Sequence, residues 1–139
     1  MKIILAGPGA FGKKHLDSLK HIEGVEVVAL VGHPLEPTQA VAAQYGIPHA
    51  MKDLDQALDL SGVEAAILAT LTPIHAAQAI QCLKAGVHVE VEIPLADNWL
   101  DAQAVMDLQQ ETGLVCMVGH TRCFNPSHQW VYKKFRLAS

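Results

Sequence analysis

Hydrophobic and polar positions follow two alternating regimes along the chain. Short apolar runs at 2–6, 25–31, 47–50, 63–70, 87–91 and 114–118 read as six strands. Between them the period lengthens. Ala76, Ala79, Ile80 and Leu83 keep the i, i+3, i+4, i+7 spacing of a helix with one buried face. The stretch 98–112 behaves alike through Ala102, Val105 and Met106, with Asn98 and Asp101 as a capping pair. Two further helices are expected at 11–23 and 37–45, the second with Pro37 in its first turn. Gly24, Gly46, Gly62, Gly86 and Gly113 each stand just before an apolar run. Four of them follow a helix-like stretch, where the chain often turns through a positive φ.

Strands alternating with helices predict a doubly wound α/β fold: a parallel sheet of about six strands, right-handed crossovers and helices on both faces. Such strands are apolar on both sides. Residues 3–6 and 65–69 satisfy that condition. Residues 87–92 do not, because His88, Glu90 and Glu92 alternate with valines. One face of that strand is expected to meet water, a ligand or another domain.

Composition narrows the function classes. The chain has 139 residues, half of them apolar and 17% charged, which is one globular domain's worth. A formal charge of −4 leaves no basic surplus to neutralise a nucleic-acid backbone, so nucleic acid is not an expected partner. The first apolar run ends at Gly7, far short of the roughly 20 residues of a membrane span, so no membrane association is expected. The charge is uneven: six lysines against fourteen acids in residues 1–121, then four cations and no acid in 122–139. The tail is therefore expected to lie outside the main packing unit. Cys82, Cys116 and Cys123 form no C-x-x-C pair and read as reduced thiols of a cytoplasmic protein. The eight histidines lack the spacing of a zinc site, and no metal is expected. Trp99 and Trp130 read as packing residues.

The sharpest motif is Gly7-Pro8-Gly9-Ala10-Phe11-Gly12, a G-x-G-x-x-G that follows a strand and opens a helix. Gly7 permits a tight turn, Gly9 lets the backbone approach a diphosphate, and Gly12 lets helix and strand pack closely. The phosphates then rest on the N–H groups of the first turn, at Ala10 and Phe11. A dinucleotide site for NAD usually carries an acid about 20 residues further on, accepting from the ribose 2′-hydroxyl. Here the chain reads Leu30-Val31-Gly32-His33-Pro34, with no acid. Gly32 and His33 are therefore taken as cofactor-binding positions, and NADP is favoured over NAD, with NAD the alternative. His33 reads equally as an exposed loop histidine. Thr38 either offers its hydroxyl to the ligand or caps the next helix.

Three other strand ends carry polar groups: Thr70-Leu71-Thr72-Pro73-Ile74-His75, Glu92-Ile93-Pro94 and Gly119-His120-Thr121-Arg122. Ligands of an open parallel sheet bind beyond the carboxyl ends of its strands, so these groups are expected to share an edge with the glycine loop. Together with Ala85-Gly86-x-His88-Val89, they make the chain resemble the N-terminal half of the Gfo/Idh/MocA oxidoreductases, which have a Rossmann-type cofactor domain. The resemblance covers nearly the whole chain in order. The stretch 88–97, followed by 109–122 and Phe124-Asn125-Pro126-Ser127-His128, resembles more narrowly the members of that family that act in aromatic compound catabolism. Those members oxidise a cyclic hemiacetal of a ring-cleavage semialdehyde, with NADP or NAD as hydride acceptor.

The resemblance implies site residues. Thr70, Thr72 and His75 match positions lining the cofactor, and Glu92 and Pro94 match the family's E-K-P beside the nicotinamide ribose. Ile93 stands where that lysine would be, which leaves the general acid/base unassigned. Glu92, His120 and Arg122 are the catalytic candidates. Arg122 has the chemistry to pair with a carboxylate of a small carboxylated hemiacetal or semialdehyde substrate. Plainer readings stand beside these: Glu92 as a solvated strand-end acid, His75 as a helix cap, His120 and Arg122 as an exposed turn. Residues 1–121 are taken as the dinucleotide-binding domain and 122–139 as a crossover helix toward a second domain, which family members carry. Trp130, Val131, Phe135 and Leu137 on that helix are expected to support association, with a homo-oligomer or another chain. A dehydrogenase cofactor-binding half, inactive when isolated, is the first expectation. A non-catalytic NAD(P)-binding module or subunit that needs a partner chain is the alternative.

Overall fold

A computed structural model describes residues 1–136. Residues 137–139, including Leu137, lie outside the described residues. The elements run β1 (Lys2–Ala6), α1 (Ala10–Leu19), β2 (Glu26–Val31), α2 (Leu35–Tyr45), β3 (His49–Met51), α3 (Leu54–Leu58), β4 (Val63–Leu68), α4 (Thr72–Lys84), β5 (His88–Val91), α5 (Trp99–Thr112), β6 (Cys116–Val118), a 3₁₀ turn (Thr121–Phe124) and α6 (Pro126–Arg136). The six strands form one parallel sheet in the order β3-β2-β1-β4-β5-β6. The order reverses between β1 and β4, which makes their carboxyl ends the topological switch point.

Alternation along β1 divides the core in two. Ile4 and Ala6 face one layer, with Leu54, Ala57, Ala76, Ala79, Leu83 and Val105 from α3, α4 and α5. Leu5 faces the other, with Leu16, Val41 and Ala42 from α1 and α2. Each large side chain buried this way contributes roughly 1.5–3 kcal/mol, so β1, apolar on both faces, anchors the sheet.

The glycines expected to end helices or turns do so with positive φ: +76° at Gly24, +69° at Gly46, +79° at Gly62, +78° at Gly86 and +67° at Gly113. Asn98 caps α5 by accepting from the Asp101 N–H at 3.0 Å. The helix α3 has no counterpart in the sequence reading. It is too short to show a period, and it forms because Asp53 accepts from the Asp55 N–H at 3.0 Å while Leu54 and Ala57 are buried.

The two tryptophans depart from expectation. Trp99 is 71% exposed at the first position of α5, and Trp130 is 63% exposed on α6. Only Val105 of α5 is fully buried, and the described part of α6 lies exposed, so neither helix offers a pocket for an indole. Cys82, Cys116 and Cys123 are free, respectively buried, half-buried and exposed. Burial pushes the Cys82 thiol up to about 12. Among the described residues no helix is long and apolar enough to cross a membrane.

Candidate functional site

The hydrogen-bond ladder continues one step past the strand ends and brings the functional segments to one edge. Gly7 N–H donates to Val31 O at 2.8 Å, Ala69 N–H to Ala6 O at 2.8 Å, Gly32 N–H to Met51 O at 2.9 Å, Glu92 N–H to Leu68 O at 2.9 Å and Gly119 N–H to Val91 O at 2.8 Å. The glycine loop, the Gly32-His33 corner, Ala69-Thr70, Glu92 and Gly119 therefore stand side by side.

Each glycine of the loop meets a different constraint. Gly7 has φ +98°, and a Cβ there would lie 2.3 Å from the Ala69 carbonyl oxygen. A Cβ on Gly12 would lie 1.9 Å from the Gly7 carbonyl oxygen. A Cβ on Gly9 would meet nothing within 4 Å. Gly7 and Gly12 are thus demanded by packing, whereas space opens beside the backbone of Gly9. Gly9 caps α1 without any side-chain bond, and no acid stands in the first turn. The first-turn amides at Ala10, Phe11 and Gly12 have no intrahelical acceptor, as at any helix N-terminus. The cradle fits a diphosphate.

Two cavities meet at Ala69 and Thr70. One, of about 380 Å³, is lined by Gly7, Gly9, Gly32, His33, Lys52 and Gln78 among others. The second, of about 470 Å³, is lined by Phe11, His15, Thr72, His75, Glu92 and Thr121 among others. Both hold residues expected at the cofactor. Thr70 donates through its hydroxyl to Gln78 Oε1 at 2.7 Å. The Thr38 hydroxyl donates to the Pro34 carbonyl at 2.9 Å and the residue is wholly buried, so it braces α2 and does not open to a ligand.

His75 is buried, and its two ring nitrogens lie at backbone carbonyls, Nδ1 2.8 Å from Pro94 O and Nε2 3.1 Å from Thr70 O. It ties the end of β4 to the segment after β5. Glu92 is not a solvated strand-end acid. Its Oε1 lies 2.8 Å from Nε2 of His15 on α1, with both side chains less than one-quarter exposed. His15 was not singled out in the sequence; the helix-facing position it holds is visible only once α1 packs beside β5. Behind this pair sits Glu90, whose Oε2 is buried without a hydrogen-bond partner among the described residues. Burial pushes the Glu90 carboxyl above the ordinary carboxylate range; the neighbouring Glu92 charge adds to this, while His15 and His75 oppose it. His15, Glu90 and Glu92 offer ligand atoms within 4.8 Å of one another. Burial, which favours the neutral form of the Glu90 carboxyl, works against an ion held there.

His120 and Arg122 are exposed. Thr121 between them lines the larger cavity, whereas Arg122 lines a separate hollow with Cys123, His128 and Tyr132. These two candidates are thus not gathered with Glu92.

Residues 1–120 match the Gfo/Idh/MocA oxidoreductases, described as an oxidoreductase family with an NAD-binding Rossmann fold. The chain is 60% identical over 134 residues to 4-carboxy-2-hydroxymuconate-6-semialdehyde dehydrogenase of Sphingobium sp. strain SYK-6, covering 96% of this chain and 42% of that protein. It is 30% identical over 130 residues to the NAD⁺-dependent scyllo-inositol 2-dehydrogenase of Bacillus subtilis, covering 92% of this chain and 38% of that one. Scyllo-inositol dehydrogenase from Lactobacillus casei, solved with NAD(H) and scyllo-inositol, superposes with a TM-score of 0.92 at 19% identity, over 99% of this chain and 41% of the other. The chain thus spans about two-fifths of the length of the relatives it matches.

Proposed function

The chain belongs to the Gfo/Idh/MocA oxidoreductase family, and from that premise we propose that it is the cofactor-binding half of an NADP-dependent dehydrogenase. The observation that carries this reading is the contrast between Gly7 and Gly12, closed by packing, and Gly9, open on the same turn. In this reading residues 1–121 form the dinucleotide-binding domain and 122–139 lead toward a second one. Gly7, Gly9, Ala10, Phe11 and Gly12 hold the diphosphate. Gly32 and His33 face the adenosine ribose, while Thr70, Thr72, His75 and Glu92 wall the nicotinamide end, His75 through its hold on Thr70 and Pro94. The missing acid after β2 favours NADP over NAD.

The proposed substrate is the cyclic hemiacetal of 4-carboxy-2-hydroxymuconate-6-semialdehyde, oxidised to 2-pyrone-4,6-dicarboxylate. The 60% identity to the Sphingobium enzyme supports it. When bound, the nicotinamide supplies the hydride acceptor for the substrate's C–H bond. The hydroxyl proton needs an acceptor on the protein. Ile93 offers none, so the pair Glu92–His15, opening into the cavity together, is assigned that proton. The resemblance alone supports His120 and Arg122 at the substrate mouth, the guanidinium pairing with a carboxylate; on this chain Arg122 lines a hollow apart from Glu92. The free thiols fit a cytoplasmic enzyme.

A second reading, a binding module completed by another polypeptide, is favoured by the exposed apolar side chains of α6, Trp130, Val131 and Phe135, which suit self-association or a partner chain. Titrating NADP, NAD and FAD into the purified chain tests the first claim. NADP should bind tightest and FAD not at all; tighter NAD removes the NADP preference, and no dinucleotide binding removes the reading. The chain alone should oxidise the hemiacetal slowly or not at all, because one open sheet edge excludes water poorly. Robust turnover by residues 1–139 contradicts that part.

A further inference from the structure

We propose that Lys52 is the cation that reads a phosphomonoester on the adenosine ribose, and so sets the choice between NADP and NAD. The proposal rests on the dinucleotide reading above and adds a residue outside the glycine motif. Lys52 immediately follows β3. The register pairs Val31 with Met51, and the Gly32 N–H donates to the Met51 carbonyl at 2.9 Å. That bond fixes Lys52 beside the Gly32-His33 corner, where the ribose hydroxyls of a bound dinucleotide fall. Lys52 and His33 line the same cavity as Gly7, Gly9 and Gly32.

The surroundings favour an anion there. No Asp or Glu lines this cavity among the described residues. Lys52 is exposed, and among the described residues no ion pair or hydrogen bond engages its ammonium. The adjacent acid, Asp53, is turned to its own helix and accepts from the Asp55 N–H. The position where an NAD-selective acid would stand is also closed. A Cβ on Gly32 would lie 2.5 Å from Pro8 Cδ and 2.6 Å from Thr38 Oγ1, so no carboxylate side chain fits without displacing both. The Thr38 hydroxyl is spent on Pro34, and Thr70, across the same cavity, donates to Gln78, which leaves His33 and Lys52 as the side chains able to carry positive charge toward a ligand there.

A ribose 2′-phosphate carries close to two negative charges at neutral pH. A lysine meets it as a point charge, without the fixed fork of an arginine. Its contribution should therefore fall steeply with added salt. The 2′-hydroxyl of NAD presents no charge, so Lys52 contributes little to NAD binding.

The test is calorimetric titration of the full 139-residue chain and its Lys52→Ala and Lys52→Glu variants with NADPH, NADH, 2′,5′-ADP and 5′-AMP. The adenosine fragments separate the 2′-phosphate from the rest of the dinucleotide. Wild type should prefer 2′,5′-ADP over 5′-AMP by about tenfold or more, a preference that shrinks with salt. Lys52→Ala should lose about tenfold on NADPH and 2′,5′-ADP while NADH and 5′-AMP change by less than about twofold. Lys52→Glu should invert the preference toward NADH. A preference that survives in Lys52→Ala overturns the assignment and leaves the dinucleotide reading intact. An equal loss on all four ligands also overturns it, because Lys52 would then serve a shared part of the ligand or the fold, and thermal melts of the variants tell those two apart. Wild type that binds none of the four overturns the dinucleotide reading together with this one.

Discussion

His15 Nε2 and Glu92 Oε1 lie 2.8 Å apart, joining the second turn of α1 to the end of β5 across 77 positions of sequence. The contact is half-sheltered and sits on the wall of the larger cavity. A double-mutant cycle on His15→Ala and Glu92→Ala, read by urea denaturation, should give a coupling of about 1 kcal/mol. Additive effects would show that the pair is not formed in solution.

Glu90 gives a pH signature. An unfolded glutamate releases its proton near the ordinary 4.5, whereas the folded Glu90 keeps its proton to higher pH. The folded state therefore binds more protons in that window, and stability falls as pH rises from the ordinary value through the raised one. His15, Glu92 and His75 are the titratable groups acting on it. The Glu90→Gln variant should melt about 3 °C above wild type at pH 8 and level with it at pH 4. A gain of equal size at both pH values would contradict the buried-acid account.

His75 holds two strand-end segments through its ring. His75→Leu keeps the bulk but leaves the Thr70 and Pro94 carbonyls without it. The urea midpoint should drop, with a loss of about 2 kcal/mol and an unchanged m value. A midpoint equal to wild type would show that other donors serve these carbonyls.

The glycine loop was legible in the sequence because its demands are local. Gly7 must turn through a positive φ and Gly12 must clear a carbonyl, and both conditions sit within six residues. The same holds for Gly24, Gly46 and Gly113, whose positive φ follows from where helices stop. The polar stripe His88-Glu90-Glu92 announced a special face on β5. What met it was not legible, since His15 reaches Glu92 only after α1 docks. Lys52 was invisible for a similar reason: strand register, not sequence spacing, sets it beside His33. The tryptophans misled because an indole's hydrophobicity says nothing about which face of its helix is covered; α5 buries Val105, whereas Trp99 and Trp130 lie exposed.

Gly12→Ala should cost the fold about 3 kcal/mol, because its methyl would stand 1.9 Å from the Gly7 carbonyl oxygen and the helix must move away. Thermal melts report this directly, and an unshifted melting point would show that α1 moves outward at little cost.

Gly9→Ala supplies the most direct measurement. Gly9 has φ −73°, and an added methyl meets no protein atom within 4 Å, so the variant should melt with wild type. The methyl occupies the space assigned to the diphosphate, so NADPH affinity measured by calorimetry should fall at least about tenfold in this fully folded variant. Unchanged NADPH affinity in Gly9→Ala would contradict the placement of the diphosphate on this turn.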